Sequence, residues 1–361
     1  MNITSETECW SPLRLPVTKK IAVAGAGIYG ATAASRLAEH GHKVDLFDPL
    51  GIMRAASAIN QYRVHAGYHY PRSPETIAEI LEARGEFLEA FAPAIVKESR
   101  HFYAIPKQGS RTEPEAYERI MSQNRLPLKR CRPDWLDFDF IDACYEVQEH
   151  LYDPDILRSL IETRLRSLGV KFEQRAFSNE MRADYDCVVW AIYGMGPSRG
   201  LFQPAKYQIA EKILIDLPEA LRRVALVVVD GPFTAFDPYG NSSQSLFGSA
   251  KHTNHWSSAN DNGQIPERYA AILNAPEFEP VTFTHFEAMR ADCSFAVPAA
   301  KDAIYRGSRF TIRVVEDNPE HDRRILHVLN GGPGEFHIFS GKVVSAVKAA
   351  RILCDRIADH A

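Results

Sequence analysis

Three glycines in the run Gly25-Ala26-Gly27-Ile28-Tyr29-Gly30 stand where a polypeptide can hold a pyrophosphate. Ile21 to Ala24 before them is short, apolar and partly β-branched, and Ala31 to Ala38 after them reads as a helix, so the order is strand, tight turn, helix. The first glycine permits the sharp turn, the second lets backbone approach the diphosphate, and the third lets helix and strand pack closely. The anion then meets the free N–H groups and positive dipole end of the helix. After His40-Gly41, a natural helix stop, Lys43 to Phe47 reads as a second strand ending at Asp48, 18 residues beyond Gly30. That is close to the spacing of about 20 at which a carboxylate takes a ribose hydroxyl. NAD and FAD both satisfy these residues. The early position of the fingerprint and a small residue, Ala34, four places after its last glycine lean toward FAD.

The stretch from Ala55 to Ser73 is polar and aromatic where an NAD domain would enter another amphipathic helix. It resembles the second flavin-contacting segment of the FAD-dependent oxidoreductases related to D-amino acid oxidase and glycine oxidase. The match is to the branch with Asn-Gln-x-Arg-x-His-x-Gly-x-His-Tyr-Pro, here Asn60, Gln61, Arg63, His65, Gly67, His69, Tyr70 and Pro71. The resemblance implies Ser57 at the phosphate and Asn60 and Gln61 near the flavin ring. Similar blocks follow in family order: His150 to Ile161 with Gly169 to Phe172, beside the adenine, and Asp186 to Gly194, with Ile192 and Tyr193 where Thr is expected. Leu326 to Lys342 resembles the closing Gly-rich turn, which implies Gly332, Gly334, Gly341 and Lys342 at the pyrimidine end of the flavin.

From the same resemblance Arg290 is expected at the substrate end of a roof, forming with Arg63 a clamp on a carboxylate or phosphate. Alternation puts Arg63 and His65 on one side of an extended segment. His65 or Tyr68 is the candidate proton acceptor. Ser340 reads as an N-cap of a closing helix whose N-terminus, with Lys342, favours negative charge on reduced flavin. FAD is expected to be non-covalent, with Cys293, His65 and His69 packing or hydrogen-bonding. The implied activity is oxidation of a C–N or C–OH bond of a small polar, anionic substrate by hydride transfer to flavin N5. The electron acceptor stays open, with O2 among the candidates. A redox-neutral flavoenzyme such as a sugar-nucleotide isomerase, or a flavin-dependent monooxygenase, is the alternative.

Other residues offer rival chemistries. Gly194-Met195-Gly196 after an apolar strand suggests a second, NADPH-binding turn, but Pro197 removes an N–H and no strand ending in an acid follows at the right distance. Asp230-Gly231 reads as a strand bend. His252 and His255 suggest a metal pair, yet no third ligand is suitably spaced, so a polar loop and no metal are expected.

The elements that must position these groups come from 361 residues, at about 150 per domain a two-domain chain. Apolar residues are 45% and charged residues 24%, proportions of a packed globular protein, and a net charge of −4 gives no sign of nucleic-acid or anionic-membrane partners. Six cysteines without a C-x-x-C pair, and no apolar leader, predict a cytoplasmic protein with no membrane insertion. The expected fold is a discontinuous α/β FAD-binding domain of Rossmann type, residues 19–75, 150–200 and 322–361. An α+β substrate domain on an antiparallel or mixed sheet takes 76–149 and 201–321, after an extension at 1–18. Strands at Ile209 to Leu217, Val224 to Val229 and Phe310 to Val315, with Phe233, Phe236 and Tyr239, are expected to roof the flavin. Ser73 as N-cap and Pro74 open a helix with Ile77, Ile80, Leu81 and Leu88 on its core face.

Overall fold

The computed structural model describes residues 18–202, 205–259, 265–318, 320 and 323–359, so the extension expected at 1–18 lies almost wholly outside them. The chain begins with β1 (Lys20–Ala24), helix α1 (Ile28–Glu39) and β2 (Lys43–Phe47), the order the glycine run predicts. A 3-10 turn at Ala56–Ala58 leads to β3 (Arg63–Val64), α2 (Pro74–Ala90), β4 (Ile95–Val96) and β5 (Arg100–Pro106). Helix α3 (Pro114–Gln123) precedes β6 (Leu128–Arg130), β7 (Ile141–Val147) and β8 (His150–Tyr152). Next come α4 (Pro154–Ser167), β9 (Lys171–Glu173) and β10 (Cys187–Trp190). Strands β11 (Ala205–Asp216), β12 (Val224–Val228), β13 (Thr234–Pro238), β14 (Ser245–Ser249) and β15 (Asn254–Ala259) precede α5 (Phe286–Ala296). The last elements are β16 (Ile304–Glu316), β17 (His327–Gly332), β18 (Glu335–Phe339) and α6 (Ala346–Asp359).

A six-stranded sheet has the order β17-β18-β10-β1-β2-β9, parallel except for the β17–β18 hairpin. Ile21, Ala22, Val23 and Ala24 of β1 are all buried, as a parallel strand covered on both faces must be. Helix α1 buries Gly30, Ala31, Ala33 and Ala34, side chains small enough for close approach, and α6 packs beside it. Helix α4 starts where Asp153 Oδ1 accepts the Asp155 and Ile156 N–H groups at 3.1 Å, with Pro154 at its first position. Ser73 precedes α2 as expected, but its hydroxyl bonds the Thr76 side chain at 2.7 Å rather than a helix N–H. Strands β3, β8 and β4 make a small antiparallel sheet.

The nine-stranded sheet runs β15-β11-β14-β13-β12-β5-β7-β6, with β16 also paired to β11. It is antiparallel except where β12 lies beside β5. Strand alternation gives it two faces. Ile213, Phe236 and Phe247 pack with Phe286, Met289 and Cys293 of α5, while Ala235 and Leu246 join the core shared with the six-stranded sheet. Phe236, expected in the flavin roof, therefore points the other way, to α5. Among the described residues no helix is long and apolar enough to cross a membrane.

Candidate active site

Gly25 leaves β1 at φ +97°, and a Cβ there would lie 2.5 Å from the Ala191 carbonyl oxygen. A Cβ on Gly30 would lie 1.8 Å from the Gly25 carbonyl oxygen, so the helix seats on the turn only because this side chain is absent. Gly27 is different: the atom nearest its Cβ position is Ser57 Oγ at 3.0 Å, with no backbone in the way. The space beside Gly27 is thus a cradle that a side chain would fill, which fits a diphosphate. Ser57 Oγ accepts the Ile28 N–H at 2.9 Å, at the N-terminus of α1. Asp48, at the end of β2, accepts the Ala26 N–H through Oδ2 and the Leu50 N–H through Oδ1, each at 2.8 Å. Its carboxylate is therefore a brace for the turn, and a cleft of about 410 Å³ lined by Leu50, Arg54, Glu162, Arg166 and Phe172 opens beside it. The Tyr29 hydroxyl donates to the Lys342 carbonyl, which ties α1 to the segment after β18 and brings Gly341 and Lys342 to the glycine turn. Burial pushes the Tyr29 phenol well above its ordinary value.

Gly332 and Gly334 are not at this end of the sheet. Glu335 is level with Val188, and Val188 with Ala22, so the β17–β18 hairpin sits at the N-terminal ends of the parallel strands, opposite the glycine turn. Gly334 is needed there for its φ of +66° and because a Cβ would meet the Asp186 carbonyl oxygen at 2.5 Å. Its role is a tight hairpin turn, which has the same Gly-Pro-Gly composition as a cofactor loop. Gly194, in contrast, follows the C-terminal end of β10 at φ +70°, with its carbonyl accepting the Tyr207 hydroxyl at 2.9 Å. Asn60 braces its own segment: its amide donates to the Ala56 and Ser57 carbonyls, and Oδ1 accepts the Tyr62 N–H and the Tyr152 hydroxyl. Lys342 caps a 3-10 turn at Val343–Ser345 that runs directly into α6, and Ser340 Oγ accepts the Lys342 N–H at 3.2 Å.

Arg63 and His65 do share one side, and both meet Glu149. Arg63 Nη1 donates to Glu149 Oε2 at 2.6 Å, and its other terminus pairs with Asp237; the three side chains are at most 1% exposed. Glu149 also accepts the Ala66 N–H at 2.8 Å and the Tyr103 hydroxyl at 2.8 Å. Burial works against the Arg63 charge, but Asp237, Tyr103 and Glu149 hold its pKa above the usual guanidinium range. Burial likewise opposes the Glu149 charge, yet His65 and Arg63 keep this carboxyl well below its ordinary value. Burial, with the Lys342 charge nearby, lowers His65 to about 4 and leaves its ring neutral. Its Nδ1 is 3.6 Å from Glu149 Oε1, buried and without a hydrogen-bond partner among the described residues. The neighbouring His69 and Tyr70 rings lie 5.5 and 5.7 Å from that of His65. The Lys342 ammonium sits 4.1 Å over Tyr70, its pKa lowered to about 7 by burial.

The clamp expected of Arg63 and Arg290 does not form. Arg290 lies on α5, across the nine-stranded sheet from Arg63, and pairs with Glu287 one turn away at 2.5 Å. Cys293 is buried on the same helix, on the same side of the sheet as Arg290 and across it from Arg63. Tyr68 is fully buried and donates to the Pro127 carbonyl at 3.0 Å, so its hydroxyl faces the packing around α3 rather than the site. Arg63→Met should therefore destabilise the protein by about 3–5 kcal/mol, because two buried carboxylates lose their partner. Arg290→Ala should change stability by no more than about 0.5 kcal/mol, as an exposed pair does, and leave kinetics unchanged. Thermal melts of both variants check this; equal effects would contradict the assignment.

Lys212 is the residue that sequence spacing did not reveal. A Cβ on Gly248 would lie 2.5 Å from Gln61 Nε2 and 2.9 Å from Lys212 Nζ, so both side chains converge over that bare glycine. Burial, with Arg313 and Arg63 adding to it against Asp237, lowers Lys212 to about 8. It makes no ion pair or hydrogen bond with a described residue. Register puts Arg309 opposite Lys212 and Arg313 opposite Gln208 on the same sheet face. Arg309 is committed to the Ala58 and Ala275 carbonyls. The available signal was Lys212 itself, one of four polar residues with Gln208, Glu211 and Asp216 in an otherwise apolar stretch from Gln208 to Leu217.

Residues 20–201 match the family described as FAD dependent oxidoreductase, DAO. FAD-dependent monooxygenase FPY4 of Fusarium mangiferae is 26% identical over 243 residues, 64% of this chain and 64% of that protein. FAD-dependent monooxygenase kojA of Aspergillus flavus is 31% identical over 138 residues, 38% of this chain and 28% of that protein. The matched stretches thus span less than two thirds of these relatives. Glycine oxidase from Geobacillus kaustophilus shares the fold with a TM-score of 0.69 at 14% identity, over 94% of both chains. L-amino acid deaminase from Proteus vulgaris does so with a TM-score of 0.66 at 14% identity, over 98% of this chain and 96% of that one. With a glycine turn shaped for a diphosphate and half the chain matched, the protein belongs to the FAD dependent oxidoreductase (DAO) family, and its cofactor is FAD.

Proposed function

We propose that the protein oxidises a C–N or C–OH bond of a small anionic substrate, and that Lys212 seats the anion. The supporting observation is Lys212, a largely buried lysine with no hydrogen-bonded carboxylate among the described residues, whose ammonium converges with Gln61 over Gly248. Such a group is costly unless a ligand's negative charge completes it. FAD, when bound, supplies the two-electron acceptor for a hydride. Gln61 and Lys212 orient the substrate from the β14 side, with Gly248 kept bare to make room. The Arg63, Glu149 and Asp237 network behind them is fixed and dry. His65, neutral above about pH 4, accepts the proton that leaves a substrate amine or hydroxyl. Lys342, lowered to about 7 by burial, adds positive charge below that pH just beyond the end of β18.

The names of the curated relatives favour a second reading, an FAD-dependent monooxygenase, which would need an external reductant such as NADPH. Against it, the Gly194 to Gly196 turn runs into a 3-10 turn at Gly196–Ser198, not a helix whose N–H groups would hold a second diphosphate. Anaerobic mixing of the yellow protein with amino acids, hydroxy acids and sugar derivatives, and separately with NADPH, separates the readings. Bleaching by an anionic substrate but not by NADPH is expected. Rapid bleaching by NADPH alone would establish the monooxygenase, and substrate conversion without net oxidation would establish an isomerase.

A further inference from the structure

On the face of the nine-stranded sheet turned away from Lys212, we propose that Glu211, His255 and His285 form a site for one zinc-type divalent metal ion. One donor atom from each residue lies within 4.8 Å of the other two. Around a tetrahedral zinc, donors at about 2.0–2.2 Å sit roughly 3.3–3.5 Å apart, so small side-chain shifts close the site. The three residues come from β11, β15 and the residue just before α5, elements that nothing local in the sequence would bring together. His252 and His255 suggested a pair by spacing. The structure instead sends His252 to Asp292 at 2.8 Å and His255 Nε2 to Glu211 Oε2 at 2.7 Å, across 44 residues.

The surroundings are those of a ligand set. Glu211 is fully buried; Thr284 and Ser308 donate their hydroxyls to its Oε1, and its Oε2 meets His255 Nε2 and accepts the His285 backbone N–H at 3.0 Å, which fixes the carboxylate beside both histidines. His285 Nδ1 lies 2.7 Å from the His252 carbonyl oxygen, so that nitrogen carries the hydrogen and Nε2 keeps its lone pair. A metal-bound histidine held through its other nitrogen by a carbonyl is the usual second shell. The His255 and His285 rings stack at 3.8 Å, while Phe310, Phe283 and Tyr269 wall His255 at 5.2 to 6.4 Å. Two imidazoles and one carboxylate select zinc-like ions over magnesium or calcium, which prefer all-oxygen sites. On binding, the proton between His255 Nε2 and Glu211 leaves that nitrogen for Nδ1 or for water, and water fills the fourth position. Three elements are thereby stapled on the strand that carries Lys212 on its other face.

The test uses the FAD-loaded full chain, stripped with chelator, dialysed and titrated with zinc chloride and cobalt chloride. The wild type should hold one equivalent of zinc by elemental analysis, melt at a higher temperature with zinc than without, and show cobalt d–d bands in the difference spectrum against the flavin. His285→Gln and His255→Gln should each weaken zinc binding by at least about tenfold. The double variant should show neither the cobalt bands nor the melting shift while keeping its FAD. Wild type that binds no more zinc than the double variant would overturn the site. If the variants do not fold, wild type alone still decides: no d–d bands at saturating cobalt would reduce the cluster to an imidazole–carboxylate hydrogen bond beside a stacked ring.

Discussion

Gly27→Val is expected to give a folded protein that is colourless after desalting. The nearest atom to a Cβ at position 27 is the Ser57 hydroxyl at 3.0 Å, so the chain accommodates the side chain by moving that hydroxyl. The branched group then occupies the cradle between Ser57 and the N-terminus of α1, where a diphosphate needs bare backbone. Crowding of this kind costs about 1–3 kcal/mol, so FAD binding should weaken roughly 5- to 150-fold. Gly30→Ala is the contrasting control: its Cβ would lie 1.8 Å from backbone oxygen, and the turn itself should fail, with loss of folding as well as colour. Far-ultraviolet circular dichroism and flavin absorbance of the two variants separate these outcomes. A yellow Gly27→Val protein with full FAD content would place the cofactor elsewhere.

Lys212→Met should keep FAD and the fold while kcat/KM for the anionic substrate falls about 10- to 150-fold, the range of a lost hydrogen bond to a charged group worth about 1.5–3 kcal/mol. Burial has lowered this lysine to about 8, so the wild-type ammonium is charged below that pH and neutral above it. Anion affinity is therefore full below about pH 8 and declines as pH rises through it, and kcat/KM, which reports the free enzyme, should show that alkaline limb. Lys212→Met should lack the part of the limb centred near pH 8. His65 contributes no limb between pH 5 and 8, since its pKa of about 4 leaves it neutral throughout. A variant with unchanged KM and an intact alkaline limb would remove Lys212 from the substrate site. Because the methionine fills similar volume without charge, its melting temperature should not fall, whereas that of Arg63→Met should.

The glycine turn was determined by the sequence alone. Gly25, Gly27 and Gly30 act through sterics within a few residues of themselves, and β1, α1, β2 and Asp48 follow in consecutive order, so spacing along the chain equals placement in space. The same holds for Pro154 after Asp153 at the start of α4. Gly332 and Gly334 show the limit of such reading. A hairpin and a cofactor loop want the same residues, and only the register of β18 against β10 shows at which end of the sheet the turn lies. The ion pairs depended wholly on tertiary structure. Arg63 meets Glu149 across 86 residues and Asp237 beyond it, and Arg290 is separated from both by a sheet. Adjacent residues Glu211 and Lys212 face opposite sides of β11, one toward two histidines and the other toward Gln61. A pleated strand divides neighbours in sequence between two environments, and which environment receives which side chain is decided by what packs on each face.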